Sequence, residues 1–198
     1  MPSYLPPSQQ TRTEYAITVT RRRCKTSLAG VMLAVMAATL IWSCTGGDEA
    51  AAATLKPGDI LVVDVLMGVI RIDPATGAQT VVTTGGYLNT ISNSAGGIAL
   101  EANGQILVTD IQIAMPDGSS VPGIVRVDPA TGLQILVTTG DLLYTPFDIA
   151  VEANGQIVVT DRAGVVRVDP VTGAQALVTS GGNLSGPRGI TVVFKKQK

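Results

Sequence analysis

From Leu55 onward, apolar residues come in short β-branched bursts separated by turns rich in Gly, Pro, Asn and Asp. Two kinds of burst alternate. ILVVD (60–64), QILVTD (105–110) and QIVVTD (156–161) are nearly continuous in apolar residues, as for a strand covered on both faces. VIRID (69–73), IVRVD (124–128) and VVRVD (165–169) alternate instead, with Arg and Asp on one face and aliphatics on the other. Shorter bursts, GIAL at 97–100 and DIAV at 148–151, lead into EANG, whose Asn-Gly pairs predict tight hairpin turns with positive φ. The alternating burst runs into DPATG or DPVTG, a turn signal with Pro fixing φ, Asp bonding its own turn and Gly in the left-handed position. A last burst such as AQTVVTT ends in a Gly-rich loop.

These elements form one unit repeated three times. RIDPATG begins at Arg71, RVDPATG at Arg126 and RVDPVTG at Arg167, spacings of 55 and 41 residues. A period of this size with strand content predicts a propeller or array, and the absence of helical periodicity disfavours a helical solenoid. The first unit lacks its opening strand and contributes three strands. The second and third contribute four each, and GPRGITVVF predicts one more opening strand at 189–193. The expected fold is therefore all-β: a β-propeller of four-stranded blades, about three blades' worth. It would be a partial propeller, half of a six-bladed assembly, or a fragment of a longer gene product, since rings of this kind hold four to eight blades. The missing first strand and the surplus last strand are complementary. Head-to-tail self-association would complete a blade and hide both edges.

The pattern GIAVxxxGxIxVxDxxxxxVxRVD resembles the NHL-type propeller repeat, related to the streptogramin-lyase and gluconolactonase-like propellers. The resemblance covers residues 58–193, and WD-type propellers fit poorly because no Trp follows Trp42 and the chain has no His. The expected function is a non-enzymatic binding or scaffold module; the alternatives are a metal-dependent lactonase- or lyase-like enzyme, which the resemblance implies, and a truncated repeat protein without independent activity. Streptogramin-type lyases use a His base, which is absent, and lactonase-like sites gather Glu, Asn and Asp on a divalent metal.

Before the repeats the pattern changes. RRRCK precedes an apolar run at 28–42, the basic and apolar regions of a secretory signal and shorter than a comfortable membrane span. Cys44 closes LIWSC, which resembles a bacterial lipobox, although Trp42 stands where a small residue is usual. TGGDEAAAA then reads as a tether. The domain expectation is an export or anchor segment with linker at 1–54, repeats at 55–194 and a basic tail at 195–198. It carries a lipid anchor at Cys44 and a periplasmic or cell-surface location; the alternatives are ordinary cleavage with Cys44 discarded, and a retained single-span anchor. Five Lys/Arg face Glu14 alone before Cys44, whereas nine face fourteen Asp/Glu after it. The exported part is thus acidic, with no basic stripe for nucleic acid. No His and no Cys lie in the repeats, which excludes Ser-His-Asp and Cys-His catalysis, His-ligated metals and disulfides there.

Asp64, Asp110 and Asp161 recur at the end of the second strand. They could ring a channel and bind a cation. Their presence in every unit favours satisfaction of backbone N–H groups in the following turn. Arg71, Arg126 and Arg167 are expected to pair with Asp73, Asp128 and Asp169 two residues on or to contact a neighbouring blade, and Glu101 and Glu152 to sit in solvent. Binding residues are sought where the units differ: the insert after Asp110, with Met115 and Asp117, and the loops carrying Tyr87 and Tyr144. These tyrosines would either contact a ligand or plug gaps between blades. No cofactor is expected, and the expected partner is a protein or glycan.

Overall fold

The computed structural model describes residues 54–88 and 94–194. The predicted export segment with Cys44, and the basic tail 195–198, lie outside the described residues. Those described form strands and turns with no helix.

Strands β1 (Ile60–Asp64), β2 (Gly68–Ile72) and β3 (Gln79–Thr83) make a first antiparallel meander. Strands β4 (Ala95–Leu100), β5 (Ile106–Ala114), β6 (Ser120–Val127) and β7 (Gln134–Thr139) make a second. The third joins β8 (Pro146–Val151), β9 (Ile157–Asp161), β10 (Gly164–Val168) and β11 (Gln175–Thr179). The result is three blades' worth of a β-propeller.

The apolar patterning explains the stacking. Every residue of β9, and Ile106 to Asp110 of β5, is buried, and the apolar residues of these strands supply the core layers between units. One core layer joins Val69, Val82 and Leu88 of the first unit to Ile106, Val108, Val125 and Val127 of the second. The other joins Leu107, Ile124 and Leu143 of the second to Ile149, Ile157, Val159, Val166 and Val168 of the third. In each sheet the last two strands slip register at one point, at Val69/Ile70, Ile124/Val125 and Val165/Val166. Beside that slip stands Gly68, Gly123 or Gly164, packed on the carbonyl of Thr83, Thr138 or Thr179 with no room for a Cβ.

The turns follow their signals with one refinement. In EANG only the glycine is left-handed, Gly104 at φ 85° and Gly155 at φ 85°. Asn103 and Asn154 instead accept the N–H of Gln105 and Gln156 through Oδ1, at 2.9 and 3.0 Å. In the DPxTG turns, Oδ1 of Asp73, Asp128 and Asp169 accepts two backbone N–H groups of its own turn.

Three expectations need correction. The segment 189–193 forms no strand. It has no second strand of its own blade to pair with; Ile190 donates its N–H to Asp148 Oδ2 at 2.9 Å, and the Arg188 carbonyl accepts from the Thr160 hydroxyl at 2.7 Å. The insert after Asp110 is a continuation of the β5–β6 hairpin past a register shift, closed by a turn at 115–119. The arginines do not pair with the DPxTG aspartates, which are committed to their turns, although Arg126 does make the expected contact with a neighbouring blade, donating to the Pro170 carbonyl at 3.1 Å. Arg126 makes a two-pronged ion pair with Glu101 at 2.6 and 2.8 Å, and Arg167 with Glu152 at 2.8 and 2.8 Å. Arg71, in the unit without an opening strand, pairs with Asp59 just ahead of β1. Glu101 and Glu152 are thus drawn out of solvent by a guanidinium two strands away.

Candidate functional site

The two ends of the sheets differ in kind. One end carries the EANG and DPxTG turns, alike from unit to unit. The other carries the Gly-rich loops, the extended β5–β6 hairpin and the starts of β4 and β8, where the units diverge.

A cleft of about 560 Å3 opens at this variable end, lined by Ser94 to Gly97, Ile111, Pro146 to Asp148 and Arg188. One repeat position, occupied by Gly96, Phe147 and Arg188 in successive units, forms its wall. The Arg188 guanidinium lies over the Phe147 ring, 4.2 Å from its centre, a favourable cation–π geometry. Arg188 makes no ion pair among the described residues. Asp148 beside it is occupied: Oδ1 accepts the Ile149 N–H at 2.9 Å and Oδ2 the Ile190 N–H. Gly97 is required for the close approach of the inner strands, since a Cβ there would lie 2.5 Å from the Asp148 Cα and 2.8 Å from the Ile149 nitrogen.

Two of the repeated aspartates flank this cleft, Asp110 opposite Ala95 and Asp161 opposite Pro146, and all three accept backbone N–H groups. Asp64 accepts the N–H groups of Leu66 and Met67 at 2.9 and 2.8 Å. Asp110, fully buried, accepts the Gln112 N–H at 2.7 Å. Asp161, also fully buried, accepts Tyr144 and Thr145 N–H on one oxygen and Ala163 N–H on the other. Among the described residues no group of three His, Cys, Asp or Glu side chains is placed to share a cation.

The loop residues divide. Tyr87 is 7% exposed and fills the first core layer. Met115 packs against the same layer from the hairpin tip. Asp117 is exposed in the hairpin turn, where the hydroxyl and N–H of Ser119 hold its carboxyl below the usual range. Tyr144 is 65% exposed, two residues before the cleft residue Pro146. Phe147 and Arg188 were not singled out from the sequence. The signal was present: they share one repeat position and differ in every unit.

No protein-family model matches the chain, and no curated protein matches it. Solved structures do. A gluconolactonase from Xanthomonas campestris is 16% identical, with 62% of this chain covering 37% of that one at a TM-score of 0.45. The extracellular domain of a candidate one-component system from B. thetaiotaomicron is 18% identical, 67% covering 18%, with a TM-score of 0.47. A candidate 6-phosphogluconolactonase from Bacteroides fragilis is 18% identical, 65% covering 37%, with a TM-score of 0.45. The chain therefore spans less than two-fifths of the length of these structures.

Proposed function

We propose that the protein is an exported, NHL-type partial propeller that acts as a non-enzymatic binding module, and that its cleft takes a partner presenting a carboxylate. One observation carries this reading: the Arg188 guanidinium, stacked on Phe147 at the cleft wall, has no acidic partner among the described residues. A stacked guanidinium keeps its in-plane N–H fork free for a carboxylate, while the ring and the adjacent Pro146 offer an apolar floor. Asp64, Asp110 and Asp161, the carboxylates a metal-dependent lactonase would call on, each accept backbone N–H groups. Exposed Tyr144, at the same end, extends the surface.

The test is calorimetric titration of the full chain with a uronic-acid oligosaccharide, an acidic peptide and a neutral oligosaccharide. An acidic ligand should bind, the neutral one should not, and Arg188→Met should weaken binding about tenfold or more, as expected for loss of a charge-assisted pair. Equal binding of neutral and acidic ligands, or an unaffected Arg188→Met variant, would overturn the reading. Lactone hydrolysis, assayed in parallel with calcium, magnesium or zinc, is expected to stay at the uncatalysed rate.

A further inference from the structure

The three units are joined by a polar clamp that occurs twice within the chain. Gln134 at the start of β7 reaches into the loop that ends the preceding sheet. Its Nε2 donates to Thr83 Oγ1 at 2.8 Å and to the Gly85 carbonyl at 3.0 Å, and its Oε1 accepts the Tyr87 N–H at 2.8 Å. Thr83 in turn donates its hydroxyl proton to the carbonyl of Gly132, in the same DPxTG turn, at 2.8 Å. The next joint repeats these four bonds. Gln175 reaches Thr138 Oγ1 at 2.8 Å, the Gly140 carbonyl at 3.1 Å and the Leu142 N–H at 2.8 Å, and Thr138 donates to Gly173 at 2.9 Å.

Among the described residues, each end of the array carries one unmated half of this clamp. Gln79 and Gly77, the counterparts of Gln134 and Gly132, are exposed, and among the described residues nothing lies within 4 Å of where a Gly77 Cβ would stand. At the other end Thr179, Gly181 and Asn183 are the counterparts of Thr83, Gly85 and Tyr87. That loop is already in the receiving shape. Gly181 and Gly182 have φ 65° and 59°, as Gly85 and Gly86 have 65° and 64°, and Leu184 N–H bonds the Gly181 carbonyl as Leu88 bonds Gly85.

Apolar positions follow the same rule. Ile106 and Ile157 are fully buried, but their counterpart Ile60 is 49% exposed. Val108 and Val159 are buried, whereas Val62 is 38% exposed. At the far end Val178, the counterpart of buried Val82, is 43% exposed. Among the described residues β1 pairs only with β2, leaving one edge open, while 189–193 has the sequence of an opening strand and no ladder. The register of β4 on β5 would set Ile190 opposite Val62 and Val192 opposite Ile60. Charge matches as well. The opening strands β4 and β8 are followed by Glu101 and Glu152, the partners of Arg126 and Arg167; Val193 holds that place in the tail, and Arg71 already has Asp59.

We propose that these two surfaces bind each other between two copies of the chain, head to tail. Gln79 of each copy enters the 179–183 loop of its partner, and segment 189–193 adds to the open edge of the partner's β1. Two such joints close a ring of six sheets, within the range of known propellers. Each Arg188 then lies between Phe147 of its own copy and Gly96 of its partner.

Light scattering on the full chain in mild detergent tests this, independently of any ligand. The expected protein mass is that of two chains at micromolar concentration. Gln79→Arg, whose side chain has no acceptor for the Asn183 N–H, and Ile60→Lys should each reduce it to one chain. Both positions are exposed in the single chain, so these variants should keep the wild-type circular dichroism; Gln134→Ala is the control that lowers melting temperature without abolishing the two-chain mass. One chain at all concentrations, a ladder of masses, or two chains persisting in both Gln79→Arg and Ile60→Lys would overturn the proposal.

Discussion

Asp169 shows how far one carboxylate is committed to a turn. Backbone N–H groups of Thr172 and then Val171 lower its pKa from 3.8 to about 2. The ionised form is the one the folded turn binds, so its stabilising contribution is complete above the unfolded value and is lost as pH falls through about 2. NMR titration of the Asp169 carboxyl should give a midpoint near 2, and Asp169→Asn should flatten the loss of thermal stability between about pH 4 and pH 2. A midpoint at the ordinary value would mean that the N–H groups do not hold the carboxylate. The turn itself was legible, since Asp, Pro and Gly each have a local reason to stand where they do. The arginine partners were not. Asp73 is nearer to Arg71 in sequence but lies in the turn, while Glu101 reaches Arg126 only because β4 and β6 flank β5. That proximity depends on sheet order, which no local spacing encodes.

Between elements, the repeated glutamine decides how one sheet seats on the next. Gln134→Ala would take the Gln134 partner from the Tyr87 N–H and the Gly85 carbonyl and leave the Thr83 hydroxyl only its bond to Gly132, in a half-buried joint. The cost should be about 1–3 kcal/mol, read as a shift of the denaturant midpoint, with Gln175→Ala close behind. An unchanged midpoint would show that apolar packing alone aligns the sheets. Strand number and order followed from the sequence because the period-two pattern and the turn chemistry agree in every unit. The exception is instructive: 189–193 carries the composition of a strand but lacks a neighbour, and a strand exists only as a member of a ladder. The hairpin beyond Asp110 shows the converse. Its Pro and Gly residues suggest an irregular loop, yet Ile113 is fully buried and anchors the extension to the first core layer.

For the described repeats taken together, burial runs from the middle outward. The second sheet is covered on both faces by the first and third, and Ile106 to Asp110 are all buried. The counterpart strand β1 has only exposed and half-buried residues. In the single-chain state, as in Ile60→Lys, amide exchange should be slowest in β5 and β6 and fastest in β1 and β11, following the apolar contacts each can lose. Uniform protection across all three sheets would contradict this. The cleft was the least legible feature of the sequence, because its wall gathers residues 96, 147 and 188, which only the parallel stacking of units brings together. Identical clamps have one last consequence, for engineering. If the 179–183 loop receives a glutamine as the two observed joints do, the third unit could be duplicated in tandem within the gene, and the number of blades would become a matter of cloning.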